Sequence, residues 1–188
     1  IRAVSPAAAP AALLPEPFRR WFTLRGWAPR RHQLALLETA RGARATLLIA
    51  PTGAGKTLAG FLPTLVELDA ARRRPGRGAS ASGGLHTLYI SPLKALAVDI
   101  ARNLERPIAE MALPVRVETR TGDTPASRRQ RQRRSPPDIL LTTPEQLALL
   151  IASDDAPYLF ASLKRIVLDE LHALVTSKRG DLLSLALA

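Results

Sequence analysis

Short apolar runs alternate with longer segments of helical periodicity along the chain. Ala45–Ala50 (ATLLIA), Thr87–Ser91 (TLYIS), Val115–Thr119 (VRVET), Ile139–Thr142 (ILLT) and Arg165–Asp169 (RIVLD) have the length and make-up of strands. Three of them are nearly continuous in apolar residues, the pattern of parallel strands covered on both faces. After the second run, Leu93, Leu96, Ala97, Ile100, Ala101, Leu104 and Ile108 recur at i, i+3/i+4, i+7, with Asp99, Arg102, Asn103 and Glu105 on the other side. That stripe predicts a helix. Pro107 is expected to kink or end it, and Pro63 to do the same to the helix following Lys56. Strand–helix alternation of this kind implies right-handed crossovers and an α/β class, a doubly wound, mainly parallel sheet.

Three segments fall outside that pattern. Residues 1–14 are Ala/Pro-rich and read as a flexible tail, and Pro75–Gly84 (PGRGASASGG) as a mobile loop. Thr124–Ser135 (TPASRRQRQRRS) opens like a helix yet has no apolar stripe, so it is expected on the surface, solvated or facing an anion.

Composition narrows the function classes. At 188 residues the chain is long enough for one well-buried domain, and 46% hydrophobic residues exclude a disordered basic tail. No apolar run approaches the ~20 residues of a membrane helix, and the opening stretch lacks the apolar block of a signal peptide, so a soluble, cytoplasmic protein is expected. Cysteine is absent, which excludes disulfides and Cys-based zinc sites. The net charge of +11 suits a nucleic-acid partner. Only Lys56, Lys94, Lys164 and Lys178 among the 27 basic residues are lysines, so the arginine excess also fits a GC-rich coding sequence. Arg72–Arg74 with Arg77 reads as solvated surface. For Arg128, Arg129, Arg131, Arg133 and Arg134, solvation and contact with a phosphate backbone both stay open.

The chemistry concentrates at two places. Ala50–Thr57 (APTGAGKT) directly follows a predicted strand. Phosphate oxygens need closely packed backbone N–H donors, and glycines let the chain curl that tightly. Thr52, Gly53, Ala54 and Gly55 would form the cradle, with the next helix aiming its positive end at the anion. Lys56 would reach the β- and γ-phosphates and the Thr57 hydroxyl would suit Mg²⁺, which makes ATP the expected nucleotide. The second place is the run Ile166–Leu168 ending in Asp169 and Glu170, at the strand end where open α/β sheets bind ligands. Asp169 would hold Mg²⁺ through water, and Glu170 would orient the attacking water.

These residues resemble a known family. APTGAGKT with DELH (169–172) is similar to the ATP-binding motifs of superfamily 2 DExH-box helicases. SPLKALAVD (91–99), RTGDTP (120–125) and TTPEQL (142–147) resemble that family's strand-tracking motifs, and RGWAPRRHQ (25–33) resembles an adenine-reading Q motif. The set is most similar to Lhr-like, ligase-associated DExH-box DNA helicases of bacteria, over about residues 15–188. The resemblance implies a P-loop, RecA-like ATP-binding domain over 43–188, preceded by a short helical extension over 15–42 that carries the Q-like motif. It implies that Gln33 reads adenine. Ser91, Pro92, Lys94, Thr121, Gly122, Asp123, Thr143, Pro144 and Glu145 would line a single-stranded DNA track. His172 would couple the catalytic residues Lys56, Asp169 and Glu170 to a second RecA-like domain.

That second domain and its arginine fingers are absent from the chain, which stops inside an apolar stretch at Leu185–Ala188. The resemblance therefore implies a fragment truncated at its C-terminus, without full helicase activity by itself. The parent would be an ATP-dependent helicase translocating 3′ to 5′ on single-stranded DNA or a tailed duplex, in DNA repair, in the bacterial cytoplasm and nucleoid. Two alternatives stay open: another P-loop NTPase, which predicts no DNA stimulation, or a basic nucleic-acid-binding module with a vestigial nucleotide site, which predicts no ATP binding. Aromatics are 4% of residues, so backbone contact rather than base stacking is the expected mode.

Overall fold

The computed structural model describes residues 13–42, 45–51, 53–73 and 84–188. The chain separates into two units, Ile1–Arg74 with Pro107–Pro114, and Pro75–Arg106 with Val115–Ala188. The tail over 1–12, the loop over 75–83, and Arg74, Arg77 and Thr52 lie outside the described residues. Leu14, assigned to the tail, is buried.

The first unit contains α1 (Glu16–Leu24), α2 (Arg31–Ala40) and α3 (Lys56–Arg73). α1 buries Phe18, Trp21 and Phe22 along one stripe. Glu110 of the same unit accepts from Trp21 Nε1 at 2.7 Å and from Arg25 Nε at 3.1 Å, so two donors beside an aromatic cluster share one carboxylate. α2 packs against α3, whose Phe61, Leu62 and Leu65 are essentially inaccessible. Pro63 does not end α3; the helix continues to Arg73. A proline inside a helix costs roughly 3 kcal/mol, and the burial of Pro63 beside three buried apolar neighbours helps offset it. In the same helix Arg73 Nε donates to the buried Asp69 at 2.8 Å, so this part of the first arginine cluster is paired within the protein.

The run Ala45–Ala50 is not a strand. Among the described residues it joins no sheet ladder, and Leu47 and Ile49 are 71% and 86% exposed. Apolar continuity measures how much a segment could bury; a strand also needs a neighbour to take its N–H and C=O groups.

The second unit holds β1 (Thr87–Ile90), most of α4 (Lys94–Glu110), β2 (Val117–Arg120), α5 (Ala126–Arg134), β3 (Ile139–Thr142), α6 (Pro144–Ile151), α7 (Ala156–Phe160), β4 (Arg165–Leu168), α8 (Leu171–Val175) and α9 (Lys178–Leu187). The four strands are all parallel, in the order β2-β3-β1-β4, with at least one helix in every connection. Residues of the central β1 and β3 are buried throughout, matching their unbroken apolar character, whereas the outer β2 and β4 are half-buried. β2 begins two residues later than the VRVET run because Arg116 N–H turns out of the ladder to donate to Asp138 Oδ2 at 2.8 Å. α4 buries Ala97, Ile100, Ala101, Leu104 and Ile108 of the predicted stripe. Pro107 sits inside it and is buried, and the helix runs on to Glu110. Leu85, Leu88, Ile90, Leu140, Leu147, Leu150, Leu159, Leu174 and Leu183 form one apolar cluster against the sheet.

Candidate functional site

In the first unit the glycine curl has the predicted form. Gly53 and Gly55 take φ of 75° and 73°, left-handed values that a side chain strongly disfavours. Lys56 is the first residue of α3, so the loop delivers the chain onto a helix N-terminus, where unpaired N–H groups and the helix dipole favour an anion. Ala54 N–H donates back to Pro51 O at 3.2 Å. Thr57 follows on the first turn and is half-buried.

Gln33 reaches this loop directly. Its Oε1 accepts from Arg30 N–H at 2.9 Å, and its Nε2 donates to Gly55 O at 3.4 Å. The residue is 4% exposed. Arg30 Nη1 donates to Gly53 O at 3.1 Å. A Cβ on Gly55 would lie 3.0 Å from Gln33 Nε2, so the loop and the α2 start are packed without spare room. Arg30 stands within the RGWAPRRHQ run, three residues before Gln33 at the start of α2.

In the second unit the sheet register gathers the other motifs. Ile90 pairs with Thr142 and Leu168, and Arg120 pairs with Thr142. The next residues, Thr121, Thr143, Ser91 and Asp169, therefore form one row along the carboxyl edge of four parallel strands, the edge at which open α/β sheets bind ligands. Four motifs separated by up to 78 positions in sequence become neighbours through pairing alone.

Asp169 is held at both carboxylate oxygens. Tyr89 O–H donates to Oδ2 at 2.6 Å and Glu170 N–H donates to Oδ1 at 2.9 Å. Burial, and then the bond to Asp169, push the Tyr89 phenol far above its ordinary range, so it stays a donor. Tyr89 was not singled out in the sequence; its signal is a hydroxyl in the middle of an otherwise apolar strand. Glu170 has φ 49° and ψ 41°, a left-handed conformation for a residue with a side chain, at the start of α8. Such backbone strain concentrates at functional positions. His172 is 82% exposed at its side chain, with Nδ1 at 3.4 Å from Glu170 Oε2.

The remaining predicted residues divide into buried and exposed. Ser91 is inaccessible, its Oγ accepting from Leu93 N–H at 3.3 Å. Thr121 and Thr143 are 5% exposed, and Pro92 and Pro144 are buried. Lys94 and Asp123 are exposed and form an ion pair at 2.7 Å. Gly122 lies on the surface beside them. Within residues 124–135, Ala126–Arg134 form the surface helix α5, and much of its arginine charge is used internally. Arg129 Nε donates to Thr124 O at 2.7 Å and its Nη2 to Gly122 O at 2.7 Å, Arg131 pairs with Glu118 at 3.1 Å, and Arg133 pairs with Asp155 at 3.2 Å. Arg120 is buried, and that burial, with Arg129 and Arg133 nearby, lowers its pKa.

Glu145 sits on the first turn of α6 and takes a two-pronged bond from Arg179 of α9, with Nη2 at 3.0 Å from Oε2 and Nε on Oε1. The guanidinium pulls its pKa down from the usual 4.5 to about 2. A depressed folded-state pKa means the pair contributes its full stability above about pH 4.5 and loses it as the pH falls toward 2. The thermal midpoint of the chain should exceed that of Arg179→Ala at pH 6, and the gap should close between pH 4.5 and 2. A gap independent of pH would show that the pair does not titrate in this way. Both side chains are more than a third exposed, so the gap should be modest.

A glycine curl opening a helix, with a parallel sheet whose carboxyl edge carries an Asp-Glu pair, defines a RecA-like P-loop protein. The chain belongs to the DEAD/DEAH box helicase family, whose model matches residues 30–188. It is 41% identical over 179 residues to an Lhr helicase of Mycolicibacterium smegmatis and 40% identical over 192 residues to the Lhr helicase/uracil glycosylase of Escherichia coli, alignments that take in 90% and 95% of this chain. It spans only 11% and 12% of the length of those relatives. The solved structure of Mycobacterium smegmatis helicase Lhr bound to ssDNA and AMP-PNP matches with a TM-score of 0.83 and 37% identity, over 96% of this chain and 23% of that one.

Proposed function

We propose that this chain is the first ATP-binding motor domain of an ATP-dependent, Lhr-like DNA helicase that moves along single-stranded DNA. The observation that carries the reading is the carboxyl-edge row, which brings three motifs resembling strand-tracking segments beside the Asp169–Glu170 pair. In this reading Lys56 and the Gly53–Gly55 curl bind the β- and γ-phosphates, Gln33 joins adenine recognition to that curl, and Glu170 orients water. Lys94, Thr121–Asp123 and Thr143–Glu145 face the DNA backbone. His172 is exposed enough to meet a second RecA-like domain elsewhere in the full gene product. The relative structure bound to ssDNA and AMP-PNP supports both ligands.

Mg²⁺ fits the donors present. No cluster of three or more His, Cys, Asp or Glu stands ready for a metal among the described residues. In nucleotide sites this ion is held by one or two carboxylates, waters and phosphates. Asp169 accepts one hydrogen bond on each oxygen and keeps a lone pair free on each, which suits a water-mediated contact, and the Thr57 hydroxyl would be the other donor. When bound, the ion would neutralise charge developing on the phosphates. A role in DNA repair is part of the proposal, supported by the E. coli relative whose name couples helicase to uracil glycosylase. A cytoplasmic, nucleoid-associated location is part of it too; no helix among the described residues is long and apolar enough to cross a membrane.

ATP turnover by the full gene product, measured with and without single-stranded DNA, tests the reading. Turnover should rise on adding DNA and require Mg²⁺. Equal rates in both conditions would favour another P-loop NTPase, and no nucleotide binding at all would favour a basic module with a vestigial site.

A further inference from the structure

At the Lys94–Asp123 pair the proposed DNA track holds a carboxylate against an exposed lysine. Lys94 opens α4 after β1, and Asp123 lies in the loop after β2, with β3 between those two strands in the sheet. The loop therefore crosses the end of β3 to bring the carboxylate to the lysine. It is firmly tied. Thr121 N–H donates to Thr124 Oγ1 at 2.9 Å, and Arg129 reaches in from α5 to donate to Thr124 O and Gly122 O, both at 2.7 Å. Thr121 and Thr124 are buried, yet Asp123 between them projects a side chain that is 72% exposed onto a lysine side chain that is 63% exposed. A rigid loop thus presents a two-oxygen anion to a lysine that is otherwise free to meet a phosphate.

We propose that Asp123 is an internal surrogate for a nucleic-acid phosphate: it occupies Lys94 in the free protein, and a backbone phosphate must displace it to bind. This rests on the strand-tracking role proposed above. The exchange replaces one anion by another at Lys94, so that contact contributes little net affinity. It also releases less salt, because the freed carboxylate gathers a cation as the phosphate loses one. A motor that must let go of each phosphate in turn gains faster release from such an exchange. Arg129 is the positioning residue, since it holds the loop that carries the carboxylate.

Binding of a fluorescent oligothymidylate to the full gene product, followed by anisotropy across a salt series, tests this. Asp123→Asn should bind about 2- to 5-fold tighter at low salt, the range of an exposed ion pair. Its log affinity against log salt should steepen by about 0.7, one added phosphate on a single strand. Asp99→Asn removes the same charge from the exposed side of α4 and should do neither. Lys94→Ala should cancel the gain when combined with Asp123→Asn. Weaker or unchanged binding by Asp123→Asn would overturn the surrogate role, as would an equal effect of Asp99→Asn or a gain that survives without Lys94. A wild-type protein that fails to bind the oligonucleotide would instead overturn the strand-tracking reading itself, and the surrogate with it.

Discussion

Glu170→Gln in the full gene product is expected to abolish ATP turnover while leaving nucleotide binding intact. Gln keeps the size of the side chain and can keep the left-handed backbone at this position, φ 49°. The bond from residue 170 N–H to Asp169 Oδ1 is a backbone contact and survives the change. What is lost is the negative charge that orients and polarises water, a contribution of roughly 10²–10⁴ in rate for groups of this kind. Lys56→Ala should behave differently. It removes the ammonium that the glycine curl places at the α3 N-terminus, so binding and turnover should fall together. Fluorescent-nucleotide binding and turnover, measured side by side, separate the two outcomes. Wild-type turnover in Glu170→Gln would end the assignment of this residue to the chemistry.

Gly180→Ala should produce the largest loss of stability from a single added methyl. Gly180 is the third residue of α9, and its N–H donates to Ser177 O at 2.8 Å. A Cβ there would lie 2.0 Å from Leu174 O and 2.8 Å from Leu174 C. Both are backbone atoms of α8, so no rotamer change relieves the clash and the α8–α9 junction must open. Leu174 and Leu183, on either side of that junction, belong to the buried cluster and would be displaced with it. Overpacking of this kind costs about 1–3 kcal/mol or more, against which the helix preference for Ala over Gly returns roughly 1 kcal/mol. For a chain of this length each kcal/mol moves the midpoint by about 2–4 °C. With a backbone clash that no rotamer relieves, the upper end applies, a net drop of about 2 kcal/mol that lowers the midpoint by roughly 4–8 °C. Gly122→Ala is the control, since a Cβ there meets nothing within 4 Å and should leave the midpoint unchanged. An unchanged midpoint in Gly180→Ala would contradict the close packing of α8 on α9.

The sheet was legible in the sequence wherever a run was apolar enough to be buried on both faces. The ILLT run gave β3 without error, TLYIS and RIVLD gave β1 and β4 to within a residue, and VRVET started two residues early because Arg116 is captured by Asp138. Ala45–Ala50 failed for a physical reason: its pattern says how much it could bury and nothing about whether a partner strand is present. Neither Pro63 nor Pro107 ends its helix, because local propensity carries no knowledge of the burial that offsets it. The glycine curl was legible because its chemistry is local: the residues that need φ above zero are the glycines themselves.

Sequence alone thus determined the elements whose causes lie within a few residues of each other. These are the curl at Gly53 and Gly55, the α4 stripe, and the surface helix of α5. Only the tertiary structure decided what depends on strands pairing across the chain. It placed Tyr89 on Asp169, Arg179 on Glu145, and Lys94 on Asp123, and it turned Arg129 from a surface charge into a clasp for the loop beneath. Those partners lie 7 to 80 positions apart. Periodicity reports which face of an element is buried, while sheet order and register decide what stands opposite it.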